Sequence, residues 1–203
     1  MSNDSAGLRP PASDEATIEE AAVLAATQRW VERAVIGLNL CPFARAPFVQ
    51  KRLHFRVSRA RSEEALLDDL RDELVALHEA DPLMRETTLL IHPEVLTDFL
   101  AYNDFLDAAD AAVLALGLEG ELQVASFHPD YRFADTAADA IENCTNRSPY
   151  PTLHLLRESS IDRAIETMID TDDIYRRNIE TLRRLGAGGW RALLHDDGDA
   201  TCG

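Results

Sequence analysis

Four short apolar runs alternate with longer stretches of helical periodicity, and that alternation limits what this chain can fold into. The strand candidates are Lys51–Val57, Thr87–Ile91, Leu122–Phe127 and Thr152–Leu156. In the first, Leu53, Phe55 and Val57 alternate with Arg52, His54 and Arg56, the period-two pattern of a half-buried strand. Between and around them lie helix candidates. Ala16–Leu38 carries Ile18, Ala22, Ala25, Val31, Val35 and Leu38 at helical spacing, and stops before Cys41-Pro42 because proline disfavours helix in the residue preceding it. Ser62 opens a second helix that Asp81-Pro82 closes, and Val95–Leu116 is a third, ending near Gly117 and Gly120. A short helix between Asp135 and Asn143, and two closing ones, Ser160–Ile169 and Asp172–Leu185, complete the order α-β-α-β-α-β-(α)-β-α-α. Such alternation predicts a single-domain α/β sandwich: a four-stranded, partly parallel (mixed) sheet flanked by helices.

The 203 residues suit one domain of this kind. Residues 1–14, rich in Ser, Pro and Asp, read as a disordered tail and 15–186 as the domain. Residues 187–203 read as a flexible C-terminal tail from which Trp190, Leu193 and Leu194 can still dock. A formal net charge of −16 argues against nucleic acid or an anionic membrane surface as partner, since both require a basic face. The acids are spread over helix faces, as in Glu63, Glu64, Asp68, Asp69, Asp72 and Glu73, which is the pattern of a solvated surface. Cys41, Cys144 and Cys202 show no CxxC spacing, so reduced thiols are expected. With no secretory signal pattern at the start and no membrane-spanning apolar run, the expected location is cytoplasmic.

Chemistry concentrates between the last two strands. Ser126–Arg157 holds His128, Asp130, Tyr131, Asn143, Asn146 and Arg147 in a long polar connection, the type of segment that displays function on a rigid scaffold. His128 suits general acid/base work and Asp130 can orient its ring. Arg147 can grip a carboxylate or phosphate, with Tyr131, Asn143 and Asn146 as further ligand contacts. The competing reading is a loop whose side chains satisfy its own backbone.

Cys41 is a candidate nucleophile, although a helix C-terminus raises rather than lowers a thiol pKa. An echo links LLIHPEVLTDFLAYND with VASFHPDYRFADTAAD, each a strand followed by His-Pro. It puts His92 and His128 at two strand ends, on one edge of the sheet if those strands point the same way. A metal site could draw on His92, His128 and Asp130, with Cys41 or His154 added, but no tight ligand spacing supports it. His54 and His154, inside strands, read as packed and hydrogen-bonded residues. There is no Gly-rich phosphate loop, GxSxG or HExxH, and no cofactor can be named.

NLCPFA, TTLLIHP, DFLAYNDFLDAAD, SFHPDYRFADT, TNRSPYPTLHLLRE and RNIETLRRLG carry a family resemblance. From Ala16 to Gly186 the chain resembles the bacterial family called domain of unknown function 1415. That resemblance implies a small, soluble, single-domain protein and no particular activity. The reading from the residues is an enzyme acting on a small polar or anionic metabolite through Cys41, His128, Asp130 and Arg147. The alternatives are a metal- or cofactor-binding protein using His92, His128 and Cys41, and a non-catalytic module whose polar loop docks a partner. Oligomeric state is not readable.

Overall fold

The computed structural model describes residues 12–166 and 171–194. The four expected strands form one mixed sheet: β1 (Leu53–Val57), β2 (Thr87–Ile91), β3 (Leu122–Phe127) and β4 (Thr152–Arg157), in the order β1-β2-β4-β3. β1 and β2 are parallel, whereas β4 runs antiparallel to both its neighbours, β2 and β3. β1, β2 and β3 therefore point the same way, and His92 and His128 leave the sheet at one edge.

Helices cover both faces. On one side lie α3 (Glu63–Glu79) and α4 (Phe99–Ala115), which pack on each other and on β2 and β3. Leu66, Leu70, Leu74 and Leu77, spaced four and three apart on α3, are fully buried against Leu90, Leu122, Leu153 and Leu155. Truncating any one of them to Ala would cost about 2–5 kcal/mol. Ser62 caps α3 by accepting from the Ala65 amide, and Arg157 closes its other end by donating to the Leu77 and Ala80 carbonyls. Asp98 caps α4 through the amides of Leu100 and Ala101, so α4 starts at Phe99 rather than Val95. Before it, Leu96 turns the chain in the left-handed region (φ 54°).

The opposite face is covered by α1 (Ala12–Trp30), a π-helical segment (Val31–Ile36) and α6 (Thr171–Leu194). Trp30, Val31, Ala34, Leu182 and Trp190 pack there against Val57, Leu89 and Ile91. The first helix thus differs from the expected single rod to Leu38. From Val31 its turns widen, with Gly37 and Leu40 donating five residues back to Glu32 and Val35. A side chain at Gly37 would collide with the Arg33 carbonyl, so glycine permits the tight exit from this segment. A five-residue helix α2 (Arg45–Val49) leads into β1.

The short helix expected over Asp135–Asn143 is instead a 3-10 turn at Ile141–Asn146. The preceding segment is held by local turns, in which the Thr136 and Ala140 amides donate to the Phe133 and Ala137 carbonyls. α5 (Glu158–Glu166) follows β4 directly. α6 continues to Leu194 past a kink at Gly186 (φ 69°), and this carries Trp190 into the core. Among the described residues no helix is long and apolar enough to cross a membrane.

Candidate functional site

His92 and His128 do come together, around Tyr102. Their ring centroids lie 5.7 and 5.1 Å from the phenol ring, and both imidazoles are fully buried. The Asp130 amide donates to Nδ1 of His128, so Nε2 carries the proton and reaches the Leu96 carbonyl at 3.3 Å. His92 Nδ1 reaches the adjacent carbonyl, Val95, at 3.0 Å. The two rings therefore brace successive carbonyls of the turn that contains the left-handed Leu96. Burial lowers both pKa values, that of His92 to about 4. His92 Nε2 is left buried without a partner.

The polar connection is also bonded inward. Asn143 accepts from the Phe133 amide (3.1 Å) and the Thr136 hydroxyl (2.7 Å), and donates to the Ala137 carbonyl (2.9 Å). Asn146 donates to the Ser126 carbonyl. Arg147 donates to the carbonyls of Tyr131 and Ala138, so its planar fork fastens one part of the loop to another. Tyr131 sits edge-on to Phe99 and Phe133. Asp130 is exposed and meets His128 through its backbone amide, not its carboxylate.

Cys41 lies elsewhere. His128 packs on α4, against one face of the sheet, whereas Cys41 lines a cavity on the other face. That cavity, about 310 Å³, lies between the sheet, the π-helical segment, the turn after it and the start of α5. Trp30, Val31, Val35, Leu89, Phe127 and Leu156 supply apolar wall. Trp30 stands edge-on to Phe127 at 5.2 Å, and Phe127 lies 5.9 Å from the His154 ring. Burial raises the Cys41 thiol pKa, an effect partly offset by the Phe43 and Ala44 amides that bond its sulfur.

His154 is packed and hydrogen-bonded, as its place inside a strand suggested, and it also lines this cavity. In register it sits between Leu89 and Ala125, on the face of β4 that carries Thr152 and Leu156. Thr87 Oγ1 gives its one hydrogen to the Leu155 carbonyl (2.6 Å), so its 2.8 Å contact with His154 needs Nε2 as donor. Nδ1 is then a bare acceptor. Among the described residues nothing donates to it, and His154 lines the cavity. Removal from bulk water holds the His154 pKa down to about 4, so the ring is neutral at physiological pH. The available signal was a polar ring at a position whose period-two neighbours are core.

Among the described residues no three His, Cys, Asp or Glu side chains are grouped to hold a metal ion. His128 has both ring nitrogens bonded within the fold. In comparisons with known proteins, the model of a family described as "Protein of unknown function (DUF1415)" matches residues 22–192. No curated protein and no solved structure matches the chain.

Proposed function

We propose that this chain, which belongs to the DUF1415 family, binds a small molecule with a largely apolar body in the cavity beneath its π-helical segment. The carrying observation is the cavity itself: a largely apolar pocket of about 310 Å³ whose few polar lining residues include Cys41 and His154. Binding sites for small molecules have this make-up, a mostly hydrophobic lining with a few placed polar atoms. The volume is roughly twice that of an engineered apolar cavity that holds benzene, which suits a body of about two fused rings. π-helical turns also recur at functional sites, and here Val31 and Val35 of that segment form wall.

The test is calorimetric titration with 2-naphthol of the natural chain and of Ala125→Leu. Ala125 lines the cavity beside His154, so the added methyls fill it. Binding to the natural chain that is lost in a folded Ala125→Leu protein is the expected result. Equal binding by both puts the ligand elsewhere and ends the proposal.

A second reading keeps an enzyme, with Cys41 as nucleophile and Nδ1 of His154 as its base. What favours it is that both groups line one cavity. It requires a thiolate, which burial disfavours at Cys41. Rapid alkylation of Cys41 near neutral pH supports this reading, and slow alkylation removes it.

A further inference from the structure

We infer that the ligand is neutral and presents a hydrogen-bond donor, a hydroxyl or N–H, to Nδ1 of His154. This rests on the cavity reading above and narrows its chemistry. The direction of the bond follows from a chain of single choices. Leu155 offers a carbonyl, which only accepts; Thr87 gives it the one hydroxyl hydrogen; His154 Nε2–H completes the relay into Thr87 Oγ1. The remaining nitrogen has only a lone pair to offer. A ligand carbonyl or ether placed there would face lone pair against lone pair.

Charge is disfavoured from each side. The cavity wall is largely aromatic and aliphatic, with Cys41, Thr87 and Ser160 as its other uncharged polar residues, so an ion entering it loses most of its hydration. Two charged residues do border the cavity, Glu86 and Arg157, and each has a partner outside it. Glu86 pairs with Arg52 at 2.9 Å. Arg157 donates through Nη2 to the Leu77 and Ala80 carbonyls and stands 3.9 Å from Glu121, while its Nε is buried without a hydrogen-bond partner. A carboxylate at Nδ1 would thus meet a bare nitrogen, and the one arginine on the wall is committed through Nη2 to backbone carbonyls. The class that fits is a phenol, alcohol, azole or similar neutral donor on an apolar body.

Four ligands on one skeleton separate the outcomes: 2-naphthol, naphthalene, 2-methoxynaphthalene and 2-naphthoate, each titrated into the full chain by calorimetry. One net hydrogen bond is worth about 1 kcal/mol, so 2-naphthol should bind about fivefold tighter than naphthalene. 2-Methoxynaphthalene should gain nothing over naphthalene, and 2-naphthoate should bind weakest. The ¹⁵N resonance of His154 Nδ1 should move on adding 2-naphthol and stay in place with the methyl ether. In His154→Phe the naphthol advantage should vanish while naphthalene binding persists. If that variant does not fold, the ligand series and the ¹⁵N shift decide alone. Equal affinity for naphthol and its methyl ether, or tightest binding of the naphthoate, overturns the inference while leaving the cavity reading intact. Failure of all four to bind defeats the cavity reading itself.

Discussion

Nε2 of His154 lies 2.8 Å from Thr87 Oγ1, and that contact fixes which ring nitrogen carries the proton. Two adjacent strands create it. β2 supplies the hydroxyl and β4 the ring, while the Leu155 carbonyl of β4 consumes the hydroxyl hydrogen. A threonine on a central strand thereby sets the tautomer of a ring that lines the cavity.

Thr87→Val keeps the shape of this side chain and removes its hydroxyl. Nε2–H then has no acceptor, and a buried unpaired donor costs about 1–3 kcal/mol. The ring should also lose its tautomer preference. Urea unfolding should show the loss, and ¹⁵N spectra should show His154 moving from one protonated nitrogen toward a mixture. An unchanged tautomer in a folded Thr87→Val protein would contradict the relay.

Acid should weaken this fold before its carboxylates titrate. His92 and His154 are held down to about 4 by burial, against about 6.5 in an unfolded chain. Because the folded value is the lower one, the stabilisation is complete above pH 6.5 and declines as pH falls toward 4. Each ring contributes a slope of about 1.4 kcal/mol per pH unit within that window. Urea midpoints should be level from pH 8 to 7 and drop steadily below 6.5, while the two ring resonances stay neutral in the folded protein. A midpoint unchanged between pH 6.5 and 5 would sink this account.

Asn143→Ala tests the polar connection as structure rather than site. It removes three bonds, and with them the acceptor of the Phe133 amide. A loss of about 2–4 kcal/mol in stability is expected. Affinity of the remaining folded protein for 2-naphthol should not change. A loss of binding at unchanged stability would return the ligand to the loop.

Cys41 should react with iodoacetamide near neutral pH more slowly than free cysteine does, with peptide mapping to separate it from the other thiols. Burial holds its pKa up, and only the thiolate reacts. Faster reaction than free cysteine would favour the enzyme reading.

The fold was legible because its signals are local. β2 and β3 begin and end where their apolar runs do, and Ser62 and the Asp81-Pro82 pair bracket α3. The departures have local causes too: a run of five-residue backbone bonds ends the first helix early, and the Asp98 cap delays α4. The candidate site was harder to read because polar residues of one type can serve two purposes. Asn143 and Arg147 look the same in sequence whether they bind a ligand or their own backbone. His154 looks like core until the register places it opposite Ala125 and beside Thr87. Facing partners across a sheet are not visible in a single strand.

The most direct measurement is a chemical-shift map of the ¹⁵N,¹³C-labelled chain titrated with 2-naphthol. Binding in the cavity predicts saturable shifts concentrated at Trp30, Val31, Ala125, Phe127 and His154, with Asn143 and Arg147 unmoved. No saturable shift, or shifts centred on His128 and Arg147, would contradict it.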